Sequence, residues 1–163
     1  MRWPRPSRKI PPPSTVEQTD WTGFYGGVQL GYRDFYLSVL GYDLAYGSDD
    51  FIGFHLGYDF DAGPSFWGVE LDYDDIADGL LRLKLRSGSS AGNTLFYGTA
   101  GVARLELGLF DDIGYLVGIG SSYAVGDRWS FGSELLYHEF SDYESSGLDI
   151  DGTTLSLRAS YRF

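Results

Sequence analysis

The last ten residues of the chain alternate between apolar and polar side chains, and this period of two is the feature that most constrains the fold. The apolar set is Leu155, Leu157, Ala159, Tyr161 and Phe163, and the polar set is Thr154, Ser156, Arg158, Ser160 and Arg162. Successive side chains of a β-strand project to opposite faces, whereas a helix repeats every 3.6 residues. The segment is therefore predicted to be a strand with one apolar and one polar face.

Seven further segments repeat this alternation: 23–33, 51–60, 66–74, 81–87, 94–107, 113–125 and 128–140. Eight strands are an even number, as bacterial outer-membrane barrels require. The sequence therefore predicts an all-β fold, an eight-stranded antiparallel up-and-down transmembrane β-barrel. In 94–107 we place Tyr97, Thr99 and Ala103 on the apolar face and Arg104 and Glu106 on the polar face.

The connections between these strands differ in length. Residues 61–65, 90–93 and 126–128 form short turns with Gly, Pro, Asn or Asp, whereas 34–50 and 141–152 are long. Outer-membrane barrels carry short turns on the periplasmic side and longer loops outside. We therefore expect a protein of the outer membrane of a Gram-negative bacterium with both termini in the periplasm. The apolar residues within 34–50 predict that the first hairpin extends above the membrane.

The apolar faces must contact either the lumen of a soluble barrel, as in a lipocalin, or the lipid around a membrane barrel. Eight strands enclose a lumen that ordinary side chains just fill, which leaves no room for so many Tyr, Phe, Trp and Leu residues. Aromatic residues also recur near the strand ends, as expected at the two lipid–water interfaces. The sequence favours the membrane barrel, with Trp21, Trp67, Trp129 and Tyr137 assigned to the interfaces.

Composition excludes several classes of function. With 12 Lys and Arg against 23 Asp and Glu, the formal net charge is -11, which repels phosphate backbones and excludes nucleic-acid binding. The absence of Cys excludes disulfides, thiolate metal sites and thiol nucleophiles. Residues 1–20 are rich in Pro and aperiodic, which predicts a disordered extension ahead of a barrel domain at 21–163. We predict no cofactor and no metal site.

The polar faces carry charged residues that we assign to a network of ion pairs in the lumen. Neighbouring strands supply opposite signs, and such a network fills a small barrel. The alternative is a narrow path for ions or small solutes through the same charges. The assigned residues are Glu70, Asp72, Asp74, Arg82, Lys84, Arg86, Arg104, Glu106, Glu134, His138, Arg158 and Arg162.

Histidine, serine and acidic residues also raise the hypothesis of a hydrolase that acts on lipid. His55, His138 and Glu134 are the candidates, but such a site must face lipid or the outer rim. His138 and Glu134 are predicted to point inward, and no Ser occupies a strained turn between a strand and a helix. We therefore assign no catalytic residue, and a lipid-modifying barrel enzyme remains a further alternative.

Several segments resemble the small OmpA-like and opacity-type barrel proteins of Gram-negative bacteria. The opening segment is WTGFYGGVQLGY (21–32), and LGYDF (56–60), FWGVELDYDD (66–75), LFYGTAGVAR (95–104), DRWSFGSELLYHEFSDY (127–143) and TTLSLRASYRF (153–163) follow in the family's order. The resemblance implies an eight-stranded outer-membrane barrel inserted by the barrel-assembly machinery. That machinery reads a last strand that ends in an aromatic residue, so the resemblance implies an assembly signal at Tyr161 and Phe163.

The function expected from these features is a non-enzymatic structural or surface role, in envelope integrity or in adhesion through the loops. The expected partners are the lipids and lipopolysaccharide of the outer membrane and a surface ligand that the sequence does not identify. Divalent cations bridging the acidic outer loops to lipopolysaccharide phosphates are one way to make the lipid contact.

Overall fold

A computed structural model describes residues 19–39, 42–75, 79–107, 110–141 and 148–163, with side chains except at 35–46, 75, 105–112 and 140–150. The described residues form a closed antiparallel barrel in which each strand pairs with its neighbours in chain order and the last pairs with the first. This confirms the predicted fold class. The strands are β1 Gly23–Val39, β2 Tyr42–Asp61, β3 Ser65–Asp75, β4 Leu80–Ala91, β5 Thr94–Leu107, β6 Phe110–Val125, β7 Trp129–Ser141 and β8 Leu148–Arg162. Across the described ranges, no helix is long and apolar enough to cross a membrane.

Three short turns join strands at one end of the barrel, which we call the turn end, and they agree with the predicted turns at 61–65, 90–93 and 126–128. The turn between β4 and β5 is Gly92-Asn93, in which Gly92 has a φ of 61°. That left-handed conformation favours glycine, and a two-residue turn fixes the register of the two strands it joins. Residues 1–18 of the predicted N-terminal extension lie outside the described residues. Thr19 donates its amide to the carbonyl oxygen of Gly92 at 3.4 Å, at the turn end.

The two faces of the sheet have opposite chemistry, and the apolar face is outside. Leu30, Ile119 and Leu157 keep 58%, 65% and 67% of their surface exposed, whereas Glu70 and Lys84 are fully buried. A soluble barrel would have the reverse arrangement. The predicted orientation of the apolar faces is therefore correct for seven of the eight segments, as far as their side chains are described.

Strand β5 is the exception, and its predicted faces are wrong. Lys84 of β4 pairs with Gly101 of β5, and paired residues share a face. The odd-numbered residues of β5 therefore point inward. Arg104, predicted inside, is exposed on the outer face, and the side chain of Glu106 is outside the described set. The residues predicted to face outward and found buried are Tyr97, Thr99 and Ala103.

The barrel wall is extended on one side at the end opposite the turns. The pairing of β1 with β2 continues to Val39↔Tyr42, and that of β1 with β8 to Val39↔Leu148. The pairing of β2 with β3 stops earlier, at Ile52↔Asp75. Residues 42–51 of β2, 33–39 of β1 and 148–154 of β8 thus form a projecting sheet, as the predicted extension of the first hairpin requires.

Candidate functional site

The barrel interior is the candidate site, and alternation on β3 and β4 positions its first charges. Every second residue of each strand points inward, and the antiparallel register pairs Glu70 with Lys84 and Asp72 with Arg82. Directly opposed side chains lie close enough to interact. Carboxylates on one strand therefore lie beside cations on the next.

Lys84 lies at the centre of this arrangement. Its Nζ is 2.8 Å from a Glu70 oxygen, 2.6 Å from Asp72 and 2.5 Å from Glu134, and all four side chains are buried. One oxygen from each carboxylate lies within 4.8 Å of the other two, a spacing that could hold a metal ion. The lysine ammonium lies among these oxygens and supplies the positive charge that they need.

Arg158 of β8 connects β3 to β7 across the lumen. Its Nη2 lies 2.7 Å from Glu70 and its Nη1 lies 3.0 Å from Glu134. Arg86 approaches Glu70 from the turn end at 2.9 Å, and the Tyr25 hydroxyl donates to Glu70 at 2.7 Å. Glu70 is thus held by groups on three other strands, β1, β4 and β8, so it ties opposite walls of the barrel together.

Asp74 is the shared partner of the cations at the end of the lumen opposite the turns. Arg33 and Arg82 each place a guanidinium nitrogen 2.7 Å from Asp74, and Gln29 donates its amide to the same carboxylate at 2.7 Å. Arg82 also donates to Asp72 at 2.6 Å. These bonds join β1 to β3 and β4, although β2 lies between β1 and β3 in the sheet.

Aromatic and apolar side chains close the turn end of the lumen. The buried cluster consists of Trp21, Phe66, Leu95, Tyr97 and Ala124. Trp21 is 2% exposed, and its indole lies 5.6 Å below the guanidinium of Arg162, which pairs with Asp59 at 3.1 Å. The prediction that Trp21 lies at the lipid interface is wrong, because the chain turns the ring into the barrel mouth.

The predicted residues fall into two groups apart from Trp21, Arg104 and Glu106. The lumen holds Glu70, Asp72, Asp74, Arg82, Lys84, Arg86, Glu134, His138, Arg158 and Arg162. The outer wall carries Trp67, Trp129 and Tyr137 with about half of each side chain exposed, and Phe163 is exposed at the end of β8. Tyr161 packs edge-on against Trp129 and Phe163.

Tyr25 and Gln29 take part in the network but were not predicted to do so. Both are uncharged, so a search for charged residues passes over them. Both are odd-numbered, so they lie on the same face of β1 as Gly27, Gly31 and Arg33, and alternation already places that face inside. Facing alone would have identified them.

The described ion pairs of the lumen involve six cations and five carboxylates, a net charge of +1 in a chain of net charge -11. Nearly balanced charge in a space filled by side chains is typical of ion pairs that cross-link the strands of a barrel. His55 lies inside as well, with Nε2 2.7 Å from Ser160 Oγ. This His–Ser pair faces the lumen and not the lipid, so a membrane lipid has no approach to it.

Comparison with known proteins adds a family and a set of folds. The family model described as outer membrane protein beta-barrel domain matches residues 12–163. Neisserial surface protein A is 17% identical, with 87% of this chain and 98% of that chain covered and a TM-score of 0.52. Ail, the attachment invasion locus protein of Yersinia pestis, is 17% identical, with 86% and 99% covered and a TM-score of 0.50. The outer membrane enzyme PagL is 15% identical, with 80% and 97% covered and a TM-score of 0.41. At these identities the likeness concerns the fold alone, and no curated protein sequence matches significantly.

Proposed function

The chain belongs to the outer membrane protein beta-barrel domain family, and from this we propose that it is a closed, non-enzymatic barrel that holds a binding sheet at the cell surface. Its lumen serves as a rigid core, and its outward wall anchors it in the outer membrane of a Gram-negative bacterium. The projecting sheet is the part offered to partners.

The observation that carries the proposal is the cross-linked lumen. Bonds to Glu70 join β1, β3, β4 and β8, and those to Glu134 add β7. Below them, the cluster around Trp21 fills the turn end. An eight-stranded barrel leaves little bore even before such filling. These contacts favour a structural core over a conducting path.

The surface role is supported by the uneven wall. Residues 42–51 of β2 run beyond the last pair with β3, a length of roughly 34 Å at ~3.4 Å per residue. Ser48, Asp49 and Asp50 on this segment are exposed. This segment of β2 pairs with β1 on one edge, and its other edge lies beyond the pairing with β3. Such an edge offers backbone groups and side chains to another molecule.

Conductance across a planar lipid bilayer tests the closed lumen. The purified full chain should give no stable open level at neutral pH, because every lumen charge named above already has a partner. A well-defined, long-lived open state in the wild-type protein would contradict the proposal and support the alternative of a narrow pore. Lipid A that changes in mass when the gene is deleted would support the lipid-modifying enzyme instead.

The orientation can be tested separately, because the chain has no Cys. Ser48→Cys places a thiol on the projecting sheet and Asp127→Cys places one in a turn at the opposite end, both at exposed positions. A membrane-impermeant maleimide should label Ser48→Cys in intact cells and should reach Asp127→Cys only after the outer membrane is opened. The reverse pattern would show that the projecting sheet and the termini face the other way.

A further inference from the structure

The edge of β2 that faces away from β1 is unpaired at the end of the barrel opposite the turns. The pairing of β2 with β3 ends at Ile52↔Asp75, whereas the pairing with β1 continues beyond it. That pairing is regular over residues 45–51 of β2 and shifts register between Leu37 and Ser38 of β1. In the described part of the chain, the backbone groups of 45–51 that point away from β1 therefore have no strand beside them. We call residues 45–51 the free edge.

The free edge is long enough for one added strand and is not protected against it. Its seven residues span roughly 24 Å at ~3.4 Å per residue, and a typical strand has about 5–6 residues. Exposed edges are commonly blunted by Lys or Pro, and the sequence AYGSDDF at 45–51 contains neither. An edge of this kind predicts pairing with another polypeptide.

The charge of the projecting sheet limits which polypeptide can pair there. The one cation of the sheet is Arg33, whose guanidinium lies 2.7 Å from Asp74 in the lumen. Asp49 and Asp50 are exposed on the free edge, and neither is joined to a described cation by an ion pair. The acids of the sheet are Asp34, Asp43, Asp49, Asp50, Asp149 and Asp151. The sheet therefore attracts a cationic partner and repels an anionic one.

The same charges disfavour a second copy of this chain as the partner. If two free edges paired with each other, Asp49 and Asp50 of both copies would lie on adjacent strands. Residues 45–51 contain no Lys or Arg that could offset them. Like charges on adjacent strands destabilise a sheet, so the favoured partner is a different, basic segment.

The two exposed acids of the free edge point to opposite faces of the sheet. Asp49 pairs with Arg33, which is buried on the inner face, and Asp50 pairs with Tyr32, which is 44% exposed on the outer face. Consecutive residues of an added strand alternate in the same way. Two adjacent cations on that strand can therefore meet both acids, whereas two cations separated by one residue lie on a single face.

We propose that the free edge binds an extended segment of another protein that contains two consecutive Lys or Arg residues, and that this segment adds to the sheet as a strand beside β2. Backbone hydrogen bonds to residues 45–51 hold the strand, and its two cations pair with Asp49 on one face and Asp50 on the other. The inference rests on the proposed surface role of the projecting sheet for the side of the membrane from which the partner comes. Binding by the purified chain does not depend on that orientation.

Fluorescence anisotropy of short labelled peptides tests the proposal with the refolded full chain in uncharged detergent micelles. The first peptide has two adjacent lysines in a background of Thr and Val, and the second has the same lysines separated by one residue. The third has two adjacent glutamates, and the fourth is the first peptide with N-methylated backbone amides, which cannot donate hydrogen bonds to a neighbouring strand. The first should bind, and the second should bind about two- to fivefold more weakly, because it loses one of two exposed ion pairs. The third and fourth should show no measurable binding.

Substitutions on the free edge test the two acids separately. Asp49→Asn and Asp50→Asn should each weaken binding of the first peptide by about two- to fivefold, and added salt should weaken it in the wild type. Asp127→Asn is the matched control, because it removes the same charge from an exposed position at the turn end. Its affinity should equal that of the wild type, and a heat-dependent shift on gels confirms that each variant is folded. A first peptide that carries a terminal cysteine should form a disulfide with Ser48→Cys and not with Asp127→Cys.

Four results would overturn the proposal or one of its parts. Unchanged affinity in both Asp49→Asn and Asp50→Asn would overturn the pairing of charges. Equal binding of the peptide with separated lysines would overturn the match to two consecutive cations, and equal binding of the N-methylated peptide would overturn the added strand. Dimers of the wild-type chain that exclude the peptide would assign the free edge to a second copy. Maleimide labelling in cells is independent of these results, so a sheet on the periplasmic side that still binds the first peptide would refute the proposed orientation and support the binding site.

Discussion

Replacing Lys84 with methionine tests whether the lumen network holds the barrel together. The substitution keeps a side chain of similar length but removes the ammonium that lies 2.5–2.8 Å from three buried carboxylates. Removing one partner of a buried ion pair costs about 3–5 kcal/mol, because the remaining charge is left uncompensated. Here three carboxylates remain within 4.8 Å of one another, while Arg82, Arg86 and Arg158 still lie beside them, so we expect a loss within that range.

The magnitude should be measured by reversible urea unfolding in lipid vesicles, followed by tryptophan fluorescence. Trp67 and Trp129 are about half exposed on the outer wall, so their emission reports on loss of the lipid environment. Glu134→Gln provides a double-mutant cycle with Lys84→Met. Removing one acid relieves part of the repulsion, so the double variant should be more stable than additivity predicts by about 0.5–3 kcal/mol.

Two results would refute this account of the lumen. One is a Lys84→Met protein whose unfolding free energy lies within about 0.5 kcal/mol of the wild type, the range of ordinary surface substitutions. The other is strict additivity in the cycle with Glu134→Gln. Either outcome would mean that water or rearranged side chains replace the ammonium at little cost and that the network does not stabilise the fold.

The remaining predictions concern packing at the turn end and along β5. Trp21→Ala should lower the unfolding free energy by about 3–5 kcal/mol in the same urea assay, because it leaves a cavity at the turn end of the lumen. Trp129→Ala on the outer wall is the control. A smaller loss for Trp21→Ala than for Trp129→Ala would contradict the buried placement of Trp21. Gly101→Ala should abolish the folded, heat-modifiable gel band, because its Cβ would overlap the Leu83 carbonyl oxygen, whereas Gly98→Ala in the same strand should fold normally. Equal folding of these two glycine variants would show that β4 and β5 are not as close as described.

Strand β5 shows where alternation loses its power to predict facing. Its inner face carries Leu95, Tyr97 and small residues, and its outer face carries Phe96, two small residues, Val102 and Arg104. Neither face is clearly more apolar, so assigning the charge to the lumen chose the wrong phase. The two-residue turn Gly92-Asn93 would have predicted the correct faces of β5. It fixes the register of β5 against β4, and the inner face of β4 is clear from its sequence.

Trp21 shows a second limit, which concerns aromatic residues near strand ends. Counting such residues predicts an interface belt, and Trp67, Trp129 and Tyr137 are exposed as that belt requires. Trp21 is also an aromatic residue near a strand end, but it is odd-numbered, like the residues of β1 that point inward. A tryptophan can fill the mouth of a barrel or lie in the interface, and phase distinguishes the two whereas residue type does not.

The contacts made by Tyr25 could not be predicted from any local pattern. Alternation places its side chain in the lumen, but its partners Glu70 and Arg86 are 45 and 61 residues away. Which inward side chains meet across the lumen depends on strand tilt and stagger, and these follow from closure of the whole barrel. Apart from β5 and Trp21, the inner set was therefore predictable, whereas its pairing was not.

The charged lumen satisfies two requirements that an apolar lumen could not satisfy together. Well-packed apolar side chains can stabilise an interior as well as buried ion pairs do, so stability alone does not explain Lys84 or Glu70. Apolar residues on both faces would, however, turn each strand into a continuous apolar segment, and such segments are recognised and inserted as transmembrane helices. Alternation keeps the mean hydropathy at -0.17 while the outer surface of the barrel remains apolar. Buried charge thus allows the chain to be polar along its sequence and apolar on its surface. A small barrel remains stable with these buried charges only when nearly every one of them is paired.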